Sequence, residues 1–244
     1  MIEKLMTNSR NTEVNDVATR MSGAFQNSGL TDTYLVSTFT SFDAANLKLS
    51  LVINRSKAES DLDEKDEVRD TKYRALYYLL NGFLYHPTKK IKEAAQLLMS
   101  LFNNYGLSVV NESYATESSL IGSLLLDLAK PEYADAIATI SGCAELIAGL
   151  QAAQTTFEQA RIVYETEKAK EGMVENASLV KKEVVDILNN KIVVYLRAME
   201  QVNPATFGVF TNICAQIIAD NNEQVKKRKG KPEPEAVVKQ QDSI

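Results

Sequence analysis

The chain of 244 residues has one histidine, His86. That scarcity excludes several chemistries. A carboxylate-bridged di-metal bundle needs Glu-x-x-His on two helices; here Phe83 stands three residues before the single histidine. A zinc site built on imidazoles fails for the same reason. A Ser–His–Asp triad would depend on His86, and there is no GxSxG turn. GxGxxG and GxxxxGK(S/T) are also missing, so no phosphate loop is signalled. No catalytic residue, cofactor or metal ligand is assigned on this basis.

Helix breakers are scarce too, with five prolines and ten glycines. Few breakers favour long helices over many short strands. The two cysteines, Cys143 and Cys214, form no CxxC and fall on apolar helix stripes, so both are expected as buried free thiols. No apolar run approaches the ~18–20 residues needed to span a bilayer. The opening "MIEKLMTNSRNTEVN" has no continuous apolar stretch of the signal-peptide kind. A cytoplasmic protein without membrane contact is expected. The net charge of −5 argues mildly against a nucleic-acid surface.

What is present is helical periodicity. Eight helices are expected, at about 12–27, 32–59, 62–85, 88–104, 116–140 (broken at Pro131), 142–171, 177–202 and 204–227. The third carries Tyr73, Leu76, Leu80 and Phe83 at three- and four-residue steps; the sixth carries Cys143, Leu146, Leu150, Ala153, Phe157, Ala160 and Tyr164. The fold class is therefore all-α, a mostly antiparallel bundle within residues 1–228. Residues 229–244 offer no amphipathic face and are expected to be a mobile tail.

Two turns echo each other. "FLYHPTKKIKEAAQLLMSLFNN" and "AMEQVNPATFGVFTNICAQIIADNN" align at an offset of about 116 residues, with Pro87 on Pro204 within one residue. Leu76, Leu80 and Phe83 fall on Ile192, Leu196 and Met199. Two pseudo-repeated four-helix halves, 12–106 and 116–228, are the reading this suggests. His86 stands before proline, where the backbone is pushed out of the α region. It reads as a turn residue rather than a catalytic one, since its counterpart is Asn203.

Three charged runs call for weighing. "ESDLDEKDEVRD", Glu59–Asp70, holds seven acids. It lacks the glycine of a calcium loop and reads as solvated acids at the start of the third helix, favoured by the helix dipole. "KKRKGK", Lys226–Lys231, reads as a basic helix C-terminus rather than a nucleic-acid patch, because no aromatic residues interleave with it. In "VRDTKYRAL", Arg69 shares the inward stripe with Tyr73 and Leu76. A buried arginine needs a partner, or must snorkel outward. Asn189 interrupts the apolar seventh helix and needs partners for its amide. A polar layer of Arg69, Asp70, Tyr73 and Asn189, aligning the two halves, is the candidate site.

The runs "RDTKYRAL", "KEAAQLLMSLFNNYG" and "FEQARIVYETE" resemble a family of uncharacterised all-helical proteins, a domain of unknown function common in Bacteroidota. The resemblance rests on Arg69, Asp70, Tyr73, Ala94, Ala95, Tyr105 and Gly106, and on Asn212 through Arg228. It implies an all-helical fold and carries no activity. The leading functional expectation is a non-enzymatic helical scaffold or interaction module for an unknown protein partner. The alternative is a small-ligand binding protein or cofactor-free enzyme with a polar groove between the halves.

Overall fold

In the computed structural model, which describes residues 1–172 and 176–229, no β-strand occurs among the described residues. The all-α expectation holds. The helices are α1 (Asn11–Ser28), α2 (Thr33–Phe83), α3 (Lys89–Asn103), α4 (Tyr114–Leu128), α5 (Pro131–Thr139), α6 (Cys143–Glu171), α7 (Ala177–Asp186), α8 (Val193–Val202) and α9 (Pro204–Lys229). A 3₁₀ turn, Leu107–Asn111, precedes α4, and a π-helical segment, Ile187–Ile192, joins α7 to α8. Residues 230–244 of the expected tail lie outside the described residues.

The second and third expected helices are one. α2 runs unbroken for 51 residues. Its start is capped by Asp32, whose carboxylate accepts the Leu35 N–H at 2.9 Å. It contains no proline, and its first glycine is Gly82, one residue before its end. The acidic run therefore lies in mid-helix, where the dipole offers nothing. Ion pairs one turn apart stabilise it instead: Lys65–Asp61 at 3.3 Å, Arg55–Glu59 at 3.9 Å and Arg74–Asp70 at 2.9 Å. Pro131 does break the fifth expected helix, and it sits at the first position of α5.

Pro87 lies just ahead of α3 rather than inside it, because Thr88 is the cap residue. His86 organises this turn. Its Nδ1 accepts the Thr88 N–H at 3.1 Å, and its ring stacks on Phe83. At the echoing turn, the Asn203 amide oxygen accepts the Thr206 N–H at 3.2 Å. Both pre-proline side chains thus satisfy a donor that the turn leaves open.

The chain forms two compact units. Unit 1 comprises Met1–Asn54 with the segment from Glu171 onward, and unit 2 comprises Arg55–Lys170. The halves 12–106 and 116–228 are therefore not the compact bodies. With no breaker near residue 60, α2 cannot turn back, so the N-terminal helices complete their bundle with the C-terminal ones. In unit 1 the core joins Val17 and Met21 of α1, Phe39, Phe42 and Leu49 of α2, Leu188, Ile192 and Leu196 from the α7–α8 run, and Phe210, Cys214 and Ile218 of α9. In unit 2 it joins Tyr73, Leu76 and Leu80 of α2 with Leu98 and Phe102 of α3, Ile121 and Leu124 of α4, and Cys143 and Leu150 of α6. Each fully buried leucine or phenylalanine contributes about 1.5–3 kcal/mol relative to exposure. Both cysteines are free and buried.

Candidate functional site

Unit 2 is organised around Arg69. The side chain lies on the inward stripe of α2 and is fully buried, so snorkelling is not its solution. It is met from three helices. Its guanidinium donates to Asp66 of α2 at 2.6 Å, to Glu117 of α4 at 2.7 Å, to Ser118 at 2.9 Å and to Gln154 of α6 at 3.3 Å. The guanidinium carbon also sits 3.6 Å from the centre of the Phe157 ring. A desolvated cation–π contact of this kind contributes ~2 kcal/mol. Asp70 pairs through one oxygen with Arg74 at 2.9 Å. One turn further on, the Tyr73 hydroxyl donates to the Gly106 carbonyl at 2.9 Å. Gly106 holds φ at 80°, a left-handed conformation that glycine adopts without strain, and this is what ends the run after α3.

Electrostatically the cluster is short of positive charge. Burial pushes the Glu117 carboxyl up to about 8, and the neighbouring Asp70 and Asp66 add to the rise while Arg69 opposes it. Burial also raises Tyr73 well above the ordinary phenol range. Glu117 and Gln154 do carry a signal in the sequence. Both are polar residues on otherwise apolar stripes: Glu117 with Ile121, Leu124 and Leu128, and Gln154 with Leu150 and Phe157. Polar positions on facing stripes are what a buried arginine requires.

Asn189 does not join this layer. It belongs to unit 1, and its amide is spent on the N-terminal arm. Asn189 Oδ1 accepts the Leu5 N–H at 2.7 Å, and Nδ2 donates to the Leu5 carbonyl at 2.9 Å. The expected four-residue layer is corrected accordingly: Arg69, Asp70 and Tyr73 serve unit 2, and Asn189 clamps main chain in unit 1. Asn222 of α9 repeats the arrangement. It accepts the Met6 N–H at 2.9 Å and donates to the Lys4 carbonyl at 2.9 Å.

Further side chains hold the same arm. Arg197 Nε donates to the Ile2 carbonyl at 2.9 Å, Lys181 to the Ser9 carbonyl at 3.0 Å, and Asn221 to the Ser9 hydroxyl at 2.9 Å. Arg228, from the basic C-terminal run, pairs with Glu13 and reaches the Asn8 carbonyl at 3.3 Å. Ile2 and Leu5 are buried anchors at 1% and 2% exposure, so the arm is packed as well as tethered. Asn189 lies in the π-helical segment, a local widening that often marks functional geometry. No amphipathic period announces the arm, because it forms no helix. Its signal was an isolated Ile-x-x-Leu pair in a polar stretch.

Residues 59–214 match the model of the Family of unknown function (DUF6261). The chain belongs to DUF6261. No curated protein and no solved structure matches it. The DUF6261 match takes in every residue that contacts the Arg69 guanidinium, together with Lys181, Asn189 and Arg197. It leaves out the arm and the second asparagine of the clamp, Asn222. Among the described residues no single helix is long and apolar enough to cross a membrane.

Proposed function

We propose that this DUF6261 protein is a non-enzymatic helical interaction module whose groove in unit 1 binds an extended protein segment. The observation that supports this reading is the pair of asparagines, each bonded to main-chain N–H and C=O groups of the arm. A carboxamide offers one acceptor and two donors. It therefore matches the backbone of an extended segment whatever its side chains. Selectivity comes from the apolar sites now filled by Ile2 and Leu5, three residues apart. The partner implied is an unstructured segment carrying apolar-x-x-apolar, and the chain's own arm is the resident occupant. Such recognition uses main-chain bonds for affinity and side-chain pockets for choice, as in other extended-peptide sites.

The test uses the full chain with Ile2→Asp and Leu5→Asp, which weakens the arm's hold without shortening the protein. A fluorescein-labelled peptide with the sequence of residues 1–10 is titrated and followed by anisotropy. Saturable binding is expected to this variant, with at least tenfold weaker binding when Asn189→Ala is added and none for a scrambled peptide. If the variant is folded by circular dichroism and does not bind the peptide, the reading fails.

A further inference from the structure

Asp66 and Asp70 lie one turn apart on α2, Glu117 faces them from α4, and one oxygen from each lies within 4.8 Å of the others. The remaining bonds of this trio are accounted for. Arg69 takes one oxygen of Asp66 and one of Glu117, and Arg74 takes one of Asp70. Three carboxylate oxygens are left, and two of them, Asp70 Oδ1 and Glu117 Oε1, are buried and receive no N–H or O–H donor from a neighbouring residue. The Glu117 side chain is 2% exposed and that of Asp70 is 13% exposed. An acceptor left bare in a dry interior is costly, and two bare anionic acceptors side by side are worse.

Charge decides what belongs between them. When all three carboxylates are ionised they stand against one buried guanidinium, which leaves two negative charges; Arg74 contributes from a partly exposed position. A divalent cation neutralises that remainder. The donor set is all carboxylate oxygen, which suits hard ions and offers nothing to soft ones. Asp66, with a quarter of its side chain exposed, gives a hydrated ion a way in from solvent.

We propose that Asp66, Asp70 and Glu117 form a binding site for a hard divalent cation of the Mg²⁺, Mn²⁺ and Ca²⁺ class, joining α2 to α4. Arg69 holds Oδ1 of Asp66 and Oε2 of Glu117, which leaves Glu117 Oε1 and Asp70 Oδ1 for the ion. The role is structural: the ion supplies the positive charge that Arg69 alone does not. This is independent of the peptide groove in unit 1.

The experiment uses the full chain, stripped with a chelator and dialysed. Mn²⁺ is titrated at pH 7.5, and the free ion is followed by electron paramagnetic resonance, with Mg²⁺ and Ca²⁺ as competitors. One saturable site per chain is expected, with a rise in Tm on loading. Glu117→Gln, which keeps the shape, should weaken binding at least tenfold. Asp66→Asn, at a partly exposed position, provides the same test should Glu117→Gln fail to fold. Two results overturn the proposal. One is a folded chain with no saturable Mn²⁺ site below millimolar concentration, which would mean that the two bare oxygens share a proton. The other is binding unchanged in a folded variant, which would place the ion on the exposed acids.

Discussion

Asn189 shows how one side chain can hold a segment that has no secondary structure of its own. It gives the arm a donor and an acceptor in a buried setting where water cannot replace them. Asn189→Ala is expected to destabilise the protein by about 2–4 kcal/mol, because the Leu5 N–H and C=O are both left bare. Urea unfolding checks this. In the Ile2→Asp/Leu5→Asp background the same substitution should cost clearly less, since the arm no longer needs the clamp; equal costs in both backgrounds would mean that Asn189 acts through α7–α8 packing instead.

Glu117 gives a second prediction at this scale. In chelator-treated protein its carboxyl, raised chiefly by burial, is expected to titrate at about 8 when folded and near 4.5 when unfolded. Between these values the folded state holds the proton more tightly, so stability falls as pH rises from about 4.5 to about 8. Glu117→Gln is neutral throughout and should remove that part of the slope. Denaturation curves at half-unit pH steps would show it, and an unchanged slope in the variant would contradict the assignment.

At the scale of elements, α2 is the unusual piece. Its middle carries charges on almost every face, with Val52, Ala58 and Leu62 as the buried positions between Leu49 and Arg69. Weak apolar support there is compensated by good helix formers and ion pairs one turn apart. Ser60→Pro, at an exposed position, is therefore expected to cost about 3 kcal/mol or more, through the lost backbone bond and the clash one turn back. Had the chain broken between residues 59 and 62, the cost would stay within about 0.5 kcal/mol. Chemical denaturation separates these outcomes. The π-helical segment is the second unusual element. It lies within an otherwise regular stripe that runs through Val184, Leu188, Ile192 and Leu196, and the asparagine in its middle faces the arm.

At the scale of the whole molecule, each unit has its own core and one buried cysteine: Cys214 in unit 1 and Cys143 in unit 2. Burial raises both thiols, to about 12 and about 11, so neither is reactive while covered. Each thiol therefore reports the opening of its own unit. In single-cysteine variants, Phe102→Ala is expected to cost about 3–5 kcal/mol and to accelerate disulfide-reagent labelling of Cys143 while leaving Cys214 nearly unchanged. Phe42→Ala should do the reverse. Equal acceleration at both thiols would show that the units open as one.

The sequence by itself determined the helices. Apolar residues at three- and four-residue steps can bury one face only as helices, and Pro131, Pro204 and Gly106 mark boundaries through their own backbone preferences. It also determined that Arg69 and Asn189 need partners, because a polar group on an apolar stripe is costly until it is paired. Tertiary structure alone decided who those partners are. Glu117 and Gln154 reach Arg69 from 48 and 85 residues away, and Asn189 reaches Leu5 from 184. Helical period says which face is buried and nothing about what covers it. The same holds for the two units: whether α2 turned back near residue 60 settled which helices share a core. No local signal states that outcome, because it follows from the absence of a breaker combined with the packing of helices far apart in the chain.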